Sequence, residues 1–392
     1  MGMDIYVTDT RALSLLRESR RGSVPPVVDD APCSVTSGGR WTFSVEELSS
    51  IAPVAFAGIT SSRPLDVLVP DRDMRFRVRG VRSHVCGFER KGSFVRLDVT
   101  ETELQTRGLP ADLRIFLDSP SRIFVRAAEK MSRLVREGEI SHHVALLRLL
   151  SLGSELCGTY SRDPLNHSRG KLTYEIMPAT TVGDIVRFLS LCKGVRGIRL
   201  AREAASFLVD GLGSPLESEL YYAIVLPARL GGIGFPKPDV NRCLFSKDRG
   251  GSNVLVQTEE RLLGGSLDSR SISMIHHQRL TPDLSWDFGD LQLTIEVDSY
   301  EFHGGKSAFV DDRLRDQDYA RLGLRNLRVT YANVRSVDAL ENFLDIIIGI
   351  AAPFLSAGRV GRMRRSLRLS EIRALRSELV SVFGARPPEE TR

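Results

Sequence analysis

Acidic side chains in the last third of the chain have a spacing that suits metal-ion chemistry. Apolar and polar residues alternate without exception over residues 291–298, which predicts a β-strand with two different faces. Glu296 and Asp298 fall on its polar face, about 7 Å apart. Asp283 stands at the start of the preceding predicted strand, and His303 follows. Three carboxylates that converge beside a histidine favour Mg²⁺ binding and phosphodiester chemistry.

The surrounding pattern predicts the elements that would hold these side chains. From residue 214 onward, helical and strand patterns follow in the order α–β–β–α–β–α, which indicates an α/β domain with a mixed sheet. Ser214 and Pro215 form a helix-start signal, and Ser336 caps a long apolar helix. The intervening elements are expected near residues 279–286, 291–298, 308–322 and 326–331.

At 392 residues, the chain is too long for one ordinary domain. The predicted fold class is α/β, with a C-terminal mixed sheet flanked by helices and a smaller α+β region before it. We expect four parts: a poorly patterned segment over residues 1–53, an α+β region over 54–212, the α/β domain over 213–357, and a basic helical tail over 358–392.

Composition favours a cytoplasmic protein without a membrane anchor. The chain starts without a signal-peptide pattern and contains no apolar run near the roughly 20 residues needed to span a bilayer. Five scattered cysteines form no CxxC pair, which argues against a disulfide framework.

The net charge of +5 is concentrated at the C-terminus, where residues 358–392 contain nine arginines and four glutamates. Such a basic segment attracts polyanions. The candidate nucleic-acid contacts are Arg362, Arg364, Arg365 and Arg368. The alternative is a solvated amphipathic helix with excess arginine.

Ordered motifs between Ser214 and about residue 334 resemble the PD-(D/E)XK nuclease superfamily. Within it, they are most similar to uncharacterised bacterial proteins related to very-short-patch repair endonucleases. The motifs cover under a third of the chain: Ser214-Pro215 with Glu217, Asp283-Leu284, residues 295–298, His303, Asp312 with Arg315 and Asp316, Gly323, and residues 326–329.

The resemblance implies a restriction-endonuclease-like fold and a divalent cation, Mg²⁺ or Mn²⁺. It implies metal ligands in Asp283, Glu296 and the main-chain carbonyl of Val297, with Asp298 and His303 as further catalytic residues. Asp298 stands where the superfamily usually has the lysine thought to position the attacking water. That departure puts cleavage in question, but not the fold.

Several of these residues have a second interpretation. Glu217 fits a catalytic helix, but Ser-x-x-Glu is also a capping box in which the carboxylate accepts the Ser214 N–H. His303 fits either an acid–base group or a structural histidine at a strand end. Arg315 fits a phosphate contact, although an ion pair with Asp316 is favoured.

Two further predictions concern other parts of the chain. The adjacent His276 and His277 are expected on a loop or helix surface, without a ligand partner at useful spacing. Residues 65–70 and 79–84 loosely resemble the C-terminal region of abortive-infection-type antitoxins. That second resemblance implies a toxin-type or defence-system protein partner.

Together, these observations predict a metal-dependent DNA endonuclease of a bacterial defence, repair or mobile-element system. The alternative is a non-catalytic nucleic-acid-binding or antitoxin-like regulatory protein with a nuclease-derived fold. A third possibility is a protein-interaction module that binds no nucleic acid.

Overall fold

The computed structural model describes residues 3–36, 41–164, 166, 170–247, 253–254, 274–298 and 306–384. Helices and strands both occur along the chain, and two of the three described sheets combine parallel and antiparallel strands, so the predicted α/β class is confirmed. The chain divides into two compact units, unit 1 (Met1–Asp210) and unit 2 (Gly211–Arg392). The division lies within two residues of the boundary expected at residue 212.

Unit 1 is built on a six-stranded sheet with strand order β2-β5-β6-β1-β3-β4. β1 lies inside the sheet, parallel to β6 and antiparallel to β3. The strands are β1 (Asp4–Val7), β2 (Val27–Val28), β3 (Leu65–Val69), β4 (Val81–Val85), β5 (Phe94–Leu97) and β6 (Arg114–Asp118).

The predicted separation of residues 1–53 from the following region is wrong. Ile5 and Val7 are fully buried, and β1 pairs with Ile115 on β6 and Val67 on β3. β1 has only four residues, which are too few to show the alternating pattern of a strand in the sequence. Unit 1 is also not the smaller part, since it spans 210 residues against 182 in unit 2.

Seven helices occur in the described part of unit 1. The side chains of Ser119, Ser141 and Thr181 each accept a hydrogen bond from the backbone N–H three residues on, and so cap three of these helices. The helices are α1 (Asp9–Arg20), α2 (Val45–Ser49), α3 (Glu101–Thr106), α4 (Pro120–Arg136), α5 (His142–Cys157), α6 (Val182–Leu191) and α7 (Ile198–Ala205).

Unit 2 contains the predicted α–β–β–α–β–α series. Its helices are α8 (Pro215–Val225), α9 (Lys306–Arg321), α10 (Tyr331–Val334), α11 (Val337–Ala351), α12 (Ala357–Arg368) and α13 (Ser370–Phe383). Its strands are β7 (Asp239–Val240), β8 (Phe245–Lys247), β9 (Asn253–Val254), β10 (Arg279–Leu280), β11 (Leu284–Asp287), β12 (Gln292–Asp298) and β13 (Arg325–Thr330). Two 3-10 turns occur at Ala228–Leu230 and Ala352–Phe354.

The main sheet of unit 2 has the order β13-β12-β11-β7, with β12 parallel to β13 and antiparallel to β11. β12 is buried on both faces. Leu293 and Ile295 are fully buried on one face, while Thr294 and Glu296 are buried on the other. The Tyr319 hydroxyl of α9 donates a hydrogen bond to Glu296, so the polar face is covered by a helix and is not solvated.

The predicted basic tail over residues 358–392 is not a tail in its described part. α12 and α13 are integral to unit 2, because Met363, Leu379 and Phe383 are buried and Arg376 is fully buried. The count of arginines was correct, but the apolar residues between them at helical spacing decide the packing.

None of the helices in the described ranges combines the length and apolar character needed to cross a bilayer. All five cysteines are free thiols, as their scatter predicted.

Candidate functional site

Three carboxyl groups from three elements of unit 2 lie close enough to influence one another. Glu217 is in the first turn of α8, Asp283 directly precedes β11, and Glu296 lies in β12. Leu284 pairs with Ile295, so the register places Asp283 beside Glu296 across the two strands. The charges of Glu217 and Glu296 both raise the pKa of Asp283.

Burial dominates the electrostatics of this cluster. It raises the pKa of Glu217 to about 7, with a further contribution from Glu296. It also raises the pKa of Asp283 well above its usual range and the pKa of Glu296. Glu217 and Glu296 are buried and Asp283 is half-buried, and carboxylates held this close together repel one another. The cluster therefore needs bound protons or a cation near neutral pH.

A hydrogen bond connects the Asp283 side chain to the end of β12. Its Oδ2 accepts the Val297 N–H at 2.6 Å. Since the N–H and C=O of one strand residue point to the same side, the Val297 carbonyl leaves β12 on the side of Asp283. The structure thus brings together the three groups that the superfamily resemblance implied as metal ligands.

A divalent cation suits the chemistry of these donors. Carboxylate and main-chain carbonyl oxygens are the ligands that Mg²⁺ and Mn²⁺ prefer. Within the described ranges, no three His, Cys, Asp or Glu side chains are arranged to hold a metal ion. A set of two carboxylates and one carbonyl is a different kind of site, and the raised carboxyl pKa values fit it.

Asp298 lies next to this cluster and also forms an ion pair. Burial, and with it the charge of Asp298, raises the pKa values of Asp283 and Glu296. Both carboxylate oxygens of Asp298 lie 3.1 Å from Nη1 of Arg328, on β13. The same guanidinium contacts Asp312 at 3.2 Å and Asp316 at 2.9 Å. The catalytic role of Asp298 stays a prediction.

The favoured ion pair between Arg315 and Asp316 is wrong, because consecutive helix residues point in different directions. Asp316 pairs with Arg328, whereas Arg315 lies 3.9 Å from Oε1 of Glu296. The buried Nε of Arg315 has no hydrogen-bond partner among the described residues. The phosphate-contact interpretation of Arg315 stays a prediction.

The capping box predicted at Ser214 is only half formed. The Ser214 hydroxyl accepts the Glu217 N–H at 3.0 Å, as expected. The Glu217 carboxylate instead accepts the Gly213 N–H at 2.7 Å. This one-residue shift lets Glu217 complete the helix start and also join the carboxyl cluster.

Tyr319 and Arg328 belong to the site but were not among the predicted residues. Tyr319 donates to Glu296, and burial raises its own pKa. A signal existed for Tyr319, since it lies four residues after Arg315 and therefore on the same side of α9. Arg328 lies within the motif over residues 326–329, but nothing in the sequence indicates its contact with Asp298, which it makes from a parallel strand 30 residues away.

The remaining predicted residues have separate locations. His303 lies outside the described residues. The four predicted nucleic-acid contacts are exposed on α12, where Arg362, Arg365 and Arg368 follow at three-residue spacing. Arg364 lies 3.9 Å from Asp345 of α11. Whether these arginines bind nucleic acid stays a prediction.

His276 and His277 lie on a loop, as predicted, and they share a hydrogen-bond partner. The fully buried carboxylate of Asp318 accepts both of their backbone N–H groups, at 2.9–3.0 Å. Its oxygens also lie 3.1 and 2.8 Å from the ring Nδ1 atoms of His276 and His277. Burial alone would raise the pKa of Asp318, but these hydrogen bonds lower it to about 2.

We expect Asp318→Asn to lower the free energy of unfolding by about 2–3 kcal/mol at neutral pH, because several hydrogen bonds to a buried charge are lost. The folded-state pKa of Asp318 is depressed, so its contribution is complete above about pH 4 and is lost as the pH falls toward 2. Urea denaturation of the variant and wild type across that range measures the difference. Asp311→Asn is the control, because Asp311 is exposed and contacts His277 at 3.3 Å.

Comparison with protein-family models, with curated proteins and with solved structures finds no match for this chain. The resemblance to the PD-(D/E)XK superfamily therefore stays a prediction from its motifs. The function must be inferred from the site itself.

Proposed function

We propose that unit 2 hydrolyses phosphodiester bonds of DNA, with Mg²⁺ or Mn²⁺ held by Asp283, Glu296 and the main-chain carbonyl of Val297. The observation that supports this most is the buried carboxyl cluster, whose members raise one another's pKa values. Burying unpaired negative charges is costly. A bound divalent cation would offset that cost.

Each side chain around the cluster has a role in this proposal. Glu217, with a pKa of about 7, is suited to take a proton from the attacking water. Tyr319 orients Glu296 through its hydrogen bond. The unpartnered Nε of Arg315 offers a donor to a phosphate oxygen. A bound divalent cation would neutralise charge that develops on the phosphate.

The engagement of Asp298 by Arg328 favours a second candidate function. In it, the unit binds nucleic acid without cutting it, as an antitoxin-like regulator with a nuclease-derived fold. Under the first proposal, Glu217 replaces the lysine that the superfamily usually has at the position of Asp298. Under the second, the carboxyl cluster serves only to bind a cation.

Nicking of supercoiled plasmid by the Glu296→Gln variant tests the enzyme proposal. We expect the wild type to nick with Mg²⁺ or Mn²⁺ and not with EDTA, and the variant to be slower by at least about a hundredfold. Glu371→Gln makes the same chemical change at an exposed position of α13 and should leave the rate unchanged. Equal cleavage by Glu296→Gln and the wild type would refute the enzyme proposal. Absence of wild-type nicking, with DNA binding retained, would favour the second function.

A further inference from the structure

A strongly basic connection joins β3 to β4 in unit 1. Residues 71–82 contain five arginines and two aspartates, a formal net charge of +3. Three of them, Arg75, Arg77 and Arg79, follow at two-residue spacing, and we call these three the arginine edge. All three side chains are exposed.

The arginine edge lies on the connection that leads to β4, the last strand of the six-stranded sheet. Arg75 and Arg77 lie in a stretch without helix or strand, and Arg79 lies in the turn that precedes β4. Phe76 and Val78 between the arginines are half-buried, so exposed arginines and half-buried apolar residues alternate along this connection.

Contacts of Phe76 hold this connection in place. The Phe76 ring packs edge-on against Trp41 at 5.3 Å between centroids, and Trp41 packs on Phe43 at 4.9 Å. The Phe76 N–H donates to the Ser83 hydroxyl at 3.0 Å. The backbone that carries the arginine edge is therefore held in place before a ligand arrives, which reduces the entropy lost on binding.

Nearby acidic groups do not neutralise the arginine edge. Asp66 is engaged by Arg82 at 2.6 Å and by His84. Asp71 accepts the backbone N–H groups of the turn that follows it. Among the described residues, the three arginines of the edge form no ion pair. Exposed guanidinium groups without carboxylate partners are suited to bind phosphates.

We infer that the arginine edge binds the sugar–phosphate backbone of duplex DNA. The choice of DNA rests on the proposed function of unit 2, whereas the surface itself belongs to unit 1. A duplex is favoured over a single strand because Phe76 and Trp41 pack on each other and offer no platform for base stacking. Contacts to phosphates alone carry no base specificity, so affinity should not depend on sequence.

The test replaces Arg75, Arg77 and Arg79 together by Gln in the full chain. Binding to a fluorescent duplex is measured by anisotropy in EDTA, from about 50 to about 200 mM KCl. We expect at least about a tenfold weaker affinity near 100 mM salt. The slope of log affinity against log salt concentration should be smaller in magnitude by about 3, because each of the three lost phosphate contacts lowers that slope by about 0.9. A single strand of the same length should bind more weakly than the duplex.

A matched variant controls for net charge. Arg133, Arg136 and Arg196 are exposed on other elements of unit 1, and their joint replacement by Gln removes the same charge. Equal loss of affinity in both triple variants would overturn the inference, as would a loss on anionic phosphatidylserine vesicles without a loss on DNA. Replacement of the edge by three lysines should retain the affinity, which separates lost charge from misfolding.

The same assay separates this inference from the proposed function. Cleavage does not occur in EDTA, so Glu296→Gln should bind the duplex like the wild type. If nicking fails but the edge variant still loses binding, only the enzyme proposal falls. If nicking succeeds and the edge variant binds and cuts normally, only the inference about the edge falls.

Discussion

The Asp283→Asn variant is expected to lose metal-dependent nicking while becoming more stable than the wild type without metal near pH 8. The loss of nicking follows because the amide removes one negative ligand from the proposed cation. The gain in stability follows because a half-buried charge, and its repulsion of Glu217 and Glu296, disappear together. Opposite effects on activity and stability are typical of a site that is strained for function.

The sign of the pH dependence follows from the raised pKa values. Burial raises the pKa of Glu217 from 4.5 to about 7, which corresponds to about 3 kcal/mol once this carboxyl is ionised. Because the folded state binds these protons more tightly, metal-free stability decreases as the pH rises from about 4 toward 7. Added Mg²⁺ or Mn²⁺ should oppose this decrease in the wild type but much less in Asp283→Asn.

Thermal unfolding near pH 5 and pH 8, with EDTA or with Mg²⁺, measures these effects. We expect Asp283→Asn to gain about 1–3 kcal/mol near pH 8 in EDTA and little near pH 5. Asp290→Asn is the control, since Asp290 is exposed in the turn between β11 and β12. A variant that loses stability at both pH values would contradict the electrostatic account of the cluster. A variant that nicks at the wild-type rate would contradict the ligand assignment.

Local patterns in the sequence were sufficient to predict the elements that carry the site. The alternation over residues 291–298 predicted β12, and the Ser-Pro pair predicted the start of α8. Both signals depend only on neighbouring residues and on periods of 2 or 3.6. The proximity of Asp283 to Glu296 followed from the pairing of adjacent strands.

Such local patterns could not predict which residues contact the acidic side chains. Asp298 is engaged by Arg328 and Asp318 by the histidine pair, at sequence separations of 30 and about 42 residues. Such contacts depend on which strand lies beside which and on the rotation of α9. The position of a carboxylate in the sequence therefore does not show whether it will pair with a basic side chain, hold a proton or bind a metal ion.

The C-terminal segment shows that a count of charged residues does not predict their contacts either. Counting arginines over residues 358–392 predicted a free basic arm, but Arg376 donates to the Gly231 and Ser366 carbonyls and pairs with Glu341 at 2.6 Å. Its neighbours Leu379 and Phe383 are buried. An arginine between buried apolar residues at helical spacing is better interpreted as part of the core.

Arg376→Ala is accordingly expected to destabilise unit 2 by about 3–5 kcal/mol, because Glu341 and two carbonyls would lose a buried partner. Arg365→Ala, an exposed change on α12, should cost less than about 0.5 kcal/mol. Of the two tryptophans, Trp41 lies in unit 1 and the buried Trp286 in unit 2. Urea denaturation followed by fluorescence in a Trp41→Phe background therefore reports on unit 2 alone. If both arginine variants unfold at the same urea concentration, α13 is not part of the core of unit 2.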